Sequence, residues 1–465
     1  MPSRLRQNSK FTNIESMELQ DSLSLLFGEK VSFHRETLAG HGRDSGYPKE
    51  GLPLAVVYAQ DTSDIQRALA WATQHQIAVI PYGAGTSLEG ALVPVNPAIS
   101  LDLSRMNRIL AIEPENLLAV VEPGVTRSQL NQALRPKGVF FPVDPGADAT
   151  LGGMAATGAS GTTTIRYGGM RANVLALEVI MASGEKLRLG RPVRKTSSGY
   201  DLKDLVIGSE GTLAVISELT LKLWPLPGFI RTFRAFFPDL ATAAQAAYAL
   251  LASAAPLARL ELLDSLSLKA INRAFQTSYL EKPALFIELH SATAAGAEAE
   301  AGLVSEVLQN AGATSIDLAR TSEEQSKQWH ARHNAYLALR LLYPGTVSMI
   351  TDTAVPIAQM PGLIEYAATL LEKYSLEGDI LGHVGDGNFH CTIAVSPERY
   401  SEAEGFAGEL VNQALSLGGS TTGEHGVGLR KRGYLAQEHG GTIEVMRQVK
   451  KIFDPDGILN PGKVI

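Results

Sequence analysis

The chain has 465 residues, 45% of them hydrophobic and 19% charged, with a formal net charge of −7. That length points to two large domains or three smaller ones, and the composition excludes a disordered chain. The acidic balance, without a basic run, argues against a nucleic-acid partner. The single cysteine, Cys391, excludes a disulfide framework, a thiolate zinc site and a self-contained iron–sulfur cluster.

Residues 1–50 are polar and read as an N-terminal extension with a helix. Arg4, Arg6 and Lys10 precede the first acid, Glu15, with no apolar stretch behind them, which is not a secretory signal. Residues 54–58 read as a strand, Ser63-Asp-Ile-Gln66 as a capping box opening a helix, and 77–81 as a second strand. The alternation recurs at 117–121, at a helix opened by Thr126-Arg-Ser-Gln129, and at 139–143. These are βαβ units, so this part is α/β or α+β. Residues 144–172 are rich in glycine and threonine, hold no helix or strand period, and read as one long loop. Strands are expected again at 174–181, 204–207 and 213–223. Trp224-Pro-Leu-Pro227 then breaks the chain, giving domains 1–225 and 226–465.

After that break the order is strand, helix, strand, strand, helix, strand, at 232–237, 239–253, 259–263, 284–290, 294–309 and 314–318. This is the split βαβ order of a ferredoxin-like antiparallel sheet. The longest uncharged run, 240–258, is mostly alanine and reads as a helix packed in a core, not a membrane span. A helix at 323–342, strands at 347–353, 379–384 and 389–395, and helices at 402–417 and 442–452 complete the chain.

Three clusters carry chemistry. In the first, glycines and small hydroxyl residues follow a strand in Pro81-Tyr-Gly-Ala-Gly-Thr-Ser-Leu-Glu-Gly90, leaving backbone N–H groups to meet an anion such as a pyrophosphate. Gly83 and Gly85 are followed only by Gly90, and prolines follow instead of a helix. The nicotinamide fingerprint therefore fails, and no G-K-[ST] makes a P-loop. With the glycine-rich 144–172, this loop points to a long phosphate-bearing cofactor.

In the second cluster, His383-Val-Gly-Asp-Gly-Asn-Phe-His390 reads as a two-residue hairpin turning at Asp386-Gly387, with His383 opposite His390 on one face. Two imidazoles so placed can share a metal ion. In Thr422-Gly-Glu-His-Gly-Val-Gly428, Glu424 would complete a His₂-carboxylate set with open positions, and the adjacent His425 is free for another role, such as a base. Cys391 points to the opposite face and reads as core. The third cluster puts Trp329, Arg332, His333 and Tyr336 on one side of a helix, where Arg332 could clamp a carboxylate. A surface salt bridge is the plainer reading of Arg332, and two satisfied core histidines that of the hairpin pair.

A wider pattern adds to these readings. Asp144-Pro-Gly-Ala-Asp-Ala-Thr-Leu-Gly-Gly-Met-Ala-Ala-Thr-Gly-Ala-Ser-Gly-Thr162 and Arg166-Tyr-Gly-Gly-Met-Arg-Ala-Asn-Val-Leu-Ala-Leu-Glu178 resemble the FAD-linked oxidase family. Lys195-Thr-Ser-Ser-Gly-Tyr-Asp201, Ile207-Gly-Ser-Glu-Gly-Thr-Leu213, the two-histidine stretch, Gly423-Glu-His-Gly426 and Leu459-Asn-Pro-Gly-Lys463 match further segments in order. The resemblance runs from about residue 50 to the end. It is strongest to cytochrome-linked D-lactate dehydrogenases, with glycolate oxidase flavin subunits and D-2-hydroxyglutarate dehydrogenases as cousins.

The resemblance implies an α+β, two-domain FAD-binding fold of vanillyl-alcohol-oxidase type with a ferredoxin-like substrate or cap domain, whose segment 420–465 returns to the flavin. It implies that Pro81, Tyr82, Gly83, Ala84, Gly85, Thr86, Ser87 and Leu88 cradle the FAD pyrophosphate. Pro145, Thr150, Gly152, Gly153, Thr157, Ser160 and Gly161, with Val174, Glu210, Gly211, Ile216 and Asn460, would line the rest of the cofactor. A zinc or manganese ion would take His383, His390 and Glu424, with His425 as base and Arg332 as carboxylate clamp.

The hydroxyglutarate enzymes carry a lysine where this chain has Ile350, so the expected substrate is a monocarboxylic D-2-hydroxy acid, D-lactate first. Electrons would pass to a separate acceptor: cytochrome c, a quinone or an electron-transfer flavoprotein. Glycolate or other hydroxy-acid oxidation, oxygen as acceptor, and an alkyl-glycerone-phosphate-synthase-like transfer are the alternative enzymes; a non-enzymatic metal-binding protein is the alternative outside catalysis. A homodimer and peripheral membrane association are left open. The expected place is the cytoplasm, at most peripheral to the inner membrane, or the mitochondrion in a eukaryote.

Overall fold

The computed structural model describes residues 13–465. Arg4, Arg6 and Lys10 lie outside the described residues. Two sheets precede residue 223. The first has four strands, Val31–Ser32, Ala55–Tyr58, Ala98–Asp102 and Ala78–Tyr82 in spatial order. Ala55–Tyr58 and Ala78–Tyr82 both run parallel to Ala98–Asp102, and the helix Thr62–His75 connects them. This is a βαβ unit with a third strand inserted. The inserted strand follows Pro94 and Pro97 and went unread in the sequence because the prolines mask its short apolar run.

The helix starts earlier than its Ser63 capping box implied. Asp61 is the N-cap, accepting from the Asp64 N–H at 2.9 Å. The second expected βαβ unit does not form. Leu118–Val121 joins an antiparallel five-stranded sheet with Ile109–Glu113, Val215–Lys222, Val174–Ile180 and Lys186–Gly190, whereas Val139–Phe140 pairs with Trp224–Pro225. Thr126 does cap its helix, accepting from the Gln129 N–H at 3.2 Å.

The stretch 144–172 is not one loop. It holds the helices Leu151–Thr157, Thr164–Tyr167 and Met170–Asn173. The Thr150 hydroxyl caps the first, and Gly158, at φ +69°, ends it in the left-handed region. Residues 204–207 are not a strand either: Asp201 accepts from the Asp204 N–H and opens the helix Leu202–Val206.

Beyond Phe229 the strands form an eight-stranded sheet. Its first four, in spatial order Ser315–Leu318, Phe229–Phe236, Ala284–Ser291 and Leu257–Leu263, have the 4-1-3-2 order of a ferredoxin-like sheet. Glu377–Gly382, Asn388–Val395 and Val347–Ile350 extend it, and Thr353–Ala354 pairs with Asn388–Val395 off the main path. The helix Ser265–Phe275, absent from the sequence reading, covers the gap between the second and third strands in chain order.

Leu240–Ala252 is a core helix, with Ala243, Ala244, Ala246, Ala247 and Leu250 buried. Among the described residues no helix is long and apolar enough to cross a membrane. Residues after the helix Thr442–Phe453 return to the first sheet: Leu459 bridges Val79, and the Asn460 N–H donates to the Val79 carbonyl at 2.9 Å.

Candidate active site

A cavity of about 510 Å³ runs from the glycine-rich loops to the histidine cluster. At one end its wall is backbone. Pro81, Gly83, Ala84, Gly85, Thr86, Ser87 and Leu88 line it, followed by Pro145, Thr150, Gly153 and Thr157. Glu210, Gly211 and Asn460 lie against the same space. Tyr82, Gly152 and Ile216 line a smaller adjoining pocket.

The structure does not bring Ser160, Gly161 or Val174 to either space. The Gly161 N–H donates to the Thr164 hydroxyl, and a Cβ there would meet the Asp144 backbone at 2.5 Å. Ser160 lies beside Gly169. Val174 is buried in the apolar core, opposite Leu221 in the antiparallel sheet.

The glycines keep this wall open. A Cβ on Gly83 would lie 2.3 Å from the Thr150 hydroxyl, and one on Gly211, at φ +70°, would lie 2.9 Å from the Pro81 ring. Glu210 brings charge to it. Its carboxylate accepts from the Val427 and Gly428 N–H groups, and burial pushes its pKa up to about 7.

The other end is built from side chains. Contrary to the two-residue hairpin, residues Val384–Asp386 form a 3₁₀ turn, and Gly387 sits at φ +77°. His390 therefore pairs with Leu381, not with His383. His383 lies just past the strand, where its ring meets His390 edge-on at 5.4 Å between centroids. The His383 Nε2 is 3.0 Å from Glu424 Oε1, and the His390 Nε2 is 3.4 Å from it. The three ligand atoms lie within 4.8 Å of one another.

Each ring is oriented through its other nitrogen: His383 Nδ1 on Glu261 Oε1 at 2.7 Å, and His390 Nδ1 on the Thr351 carbonyl at 3.1 Å. Glu424 Oε2 is buried without a hydrogen-bond partner among the described residues. Two imidazole Nε2 atoms grouped on one carboxylate whose second oxygen is unpaired suit a divalent cation. Burial opposes charge at Glu424, but His383 and His390 outweigh it and hold its pKa well below the usual carboxylate range. Cys391 is fully buried on the same strand, and burial pushes its thiol above the ordinary range.

His425 stacks on His390, with centroids 4.8 Å apart and planes 5° from parallel. Its Nδ1 faces the buried carboxylates of Glu89 at 3.7 Å and Asp352 at 4.0 Å. Burial would lower its pKa, but Asp352 and Glu89 outweigh burial and raise it. Asp352 holds the loop itself, with Oδ2 accepting from the Thr422 hydroxyl and from the N–H groups of Gly423, Glu424 and His425. Lys431 neutralises both acids, its Nζ 3.1 Å from Glu89 and 3.3 Å from Asp352.

Arg332 is no surface salt bridge. It is buried and donates from Nε and Nη2 to Glu261 Oε2, at 2.9 and 2.6 Å, which leaves Nη1 for another acceptor. The expected single helix breaks at Asn334, into Ser322–His333 and Ala335–Leu342. Arg332, His333, Tyr336 and Arg340 nevertheless all line the cavity, as does Ile350.

The sequence reading missed Glu261, Asp352, Glu89 and Lys431. One signal was available: Arg-x-Glu at 259–261 and Glu-x-His at 288–290 put charges on one face of otherwise apolar strands.

Residues 226–464 match the C-terminal domain of FAD linked oxidases, and residues 53–190 match an FAD binding domain. The chain belongs to the FAD-linked oxidase family. It is 39% identical over 444 residues to a probable mitochondrial D-lactate dehydrogenase of Danio rerio, covering 94% of this chain and 89% of that one. It is 36% identical over 451 residues to the mitochondrial D-lactate dehydrogenase (cytochrome) of Arabidopsis thaliana, covering 96% and 78%. The solved 4-ethylphenol oxidase of Gulosibacter chungangensis superposes with a TM-score of 0.79 at 17% identity, over 98% of each chain. The fold is therefore of the vanillyl-alcohol-oxidase type, the cofactor of this family member is FAD, and the protein is an FAD-dependent oxidoreductase related to D-lactate dehydrogenases.

Proposed function

We propose that this family member oxidises D-2-hydroxy acids, D-lactate first, in a metal-assisted dehydrogenation whose electrons leave to a separate acceptor. The observation that carries this reading is the meeting of His383, His390 and Glu424 on the cavity that the glycine-rich loops also line.

When bound, FAD supplies the acceptor for the hydride from the substrate C2, and a divalent ion supplies positive charge beside the hydroxyl and carboxylate. The chain does the rest. His383, His390 and Glu424 would hold the ion. Arg332, fixed on one side by Glu261, offers Nη1 to the substrate carboxylate. His425 takes the hydroxyl proton at the ring nitrogen opposite Nδ1. Glu89 and Asp352 stand behind that ring and stabilise the charge it gains. Gly83, Gly85 and Gly211 keep the wall open for a flat cofactor. Ile350 gives the substrate end an apolar surface at that position of the lining. Cys391 is the sole cysteine and is buried, so no cluster in this chain relays the electrons.

An anaerobic visible spectrum tests the reading. D-lactate should bleach the flavin band, L-lactate should not, and pyruvate should form in one-to-one ratio with reduced flavin. A flavin band indifferent to every D-2-hydroxy acid would overturn it.

A further inference from the structure

Glu261 is 1% exposed and sits between Leu260 and Leu262 in the strand Leu257–Leu263. A carboxylate in such a place persists only where its charge is matched. Its two oxygens go to different partners. Oε1 meets His383 Nδ1 at 2.7 Å, and Oε2 accepts from Arg332 Nε and Nη2. Those partners are a candidate metal ligand and the candidate carboxylate clamp.

The geometry points to Glu261 as the positioning residue that sets both groups at once. Accepting the hydrogen bond of the His383 Nδ1–H holds the tautomer whose Nε2 lone pair would face the ion. Holding Nε and Nη2 of Arg332 fixes the plane of a guanidinium that lines the cavity and leaves Nη1 free of Glu261. His390 Nδ1 bonds a neutral carbonyl and has the Asp352 carboxylate only at 3.8 Å, so Glu261, at 2.7 Å, makes His383 the more strongly polarised of the two imidazoles. Because the inference rests on the metal reading of His383, His390 and Glu424, its test must be able to fail separately.

The test is a Zn²⁺ titration of FAD-loaded protein, stripped by chelator, against a chromophoric competitor. Glu261→Gln keeps the shape but turns an amide NH₂ toward one of two N–H donors. The Zn²⁺ dissociation constant should rise about 10–100-fold with flavin content unchanged, and at saturating Zn²⁺ the kcat for D-lactate should return while its KM stays raised, because Arg332 is no longer fixed. An ion pair with a purely structural role would lower the melting temperature and leave Zn²⁺ affinity alone. Should the glutamine variant not fold, Glu261→Asp keeps the charge but reaches only one partner, and the dissociation constant should rise about threefold or more. Unchanged Zn²⁺ affinity in the variant that folds overturns the proposal. Wild-type protein that binds neither Zn²⁺ nor Mn²⁺ overturns the metal site, and the proposal with it.

Discussion

The two ends of the cavity recognise by opposite means. The wall at Gly83, Gly85, Gly153 and Gly211 works by what is missing: side chains are withheld so that backbone can approach a large ligand, and two buried carboxylates, Glu210 and Asp144, bring charge to it. The end at His383, His390, Glu424 and His425 is crowded with buried charge, each acid matched by a named cation or N–H group. A surface made of backbone tolerates small shifts, because many weak contacts share the load. A cluster of paired charges does not, because removing one partner leaves another buried and unmatched.

The sharpest way to break the contrast is at the charged end. His425→Ala should lower the rate of flavin reduction by D-lactate about 10²–10⁴-fold, the range of a lost general base, while the flavin stays bound. Stopped-flow absorbance reads both. Near-normal reduction would remove His425 from the chemistry.

At the backbone end the same size of change should cost less and show in a different quantity. Gly83→Ala would press its methyl on the Thr150 hydroxyl, which caps the helix Leu151–Thr157. The FAD dissociation constant should rise about tenfold, equivalent to about 1.4 kcal/mol, with little change in reduction rate once the flavin is saturating. Equilibrium dialysis checks it.

The smallest effect separates charge that serves the site from charge that does not. Asp379, buried outside the cluster of His383, His390 and Glu424, is pushed up to about 8 by burial and then by the neighbouring Asp264. Its proton is held in the folded chain and released by the unfolded one. That contribution is complete below the ordinary carboxylate pKa of about 4 and is lost as pH rises through about 8. Asp379→Asn should therefore flatten the fall in melting temperature between about pH 4 and about pH 8, by a few degrees (about 1 kcal/mol shifts Tm by roughly 2–4 °C in larger domains). Parallel thermal curves for the two proteins would exclude the assignment.

This difference also explains what the sequence disclosed. Glycine-rich loops and the His383–His390 stretch are local, so their residue types could be read in order. The register of the hairpin could not, since Asp386-Gly387 resembles a tight turn and only the packed chain shows that Val384–Asp386 winds into a 3₁₀ turn. The helix Leu151–Thr157 was hidden by its own glycines, although its cap Thr150 and its terminator Gly158 were both visible. Glu261 lies 122 positions from His383, and Asp352 lies 73 from His425. No local period encodes such pairings; they exist because the sheet and the loop that follows it bring distant segments together.

The Asn460 side chain donates to the Ala91 carbonyl across 369 positions, and to the Glu210 carbonyl. Synthesis at about 5–20 residues per second separates those residues by roughly 20–70 seconds. The Asn460 contact therefore forms long after the residues of the first sheet have been made. A nascent chain stalled before Leu459 would expose the Val79 edge of the first sheet and leave the Ala91 and Glu210 carbonyls without the Asn460 amide.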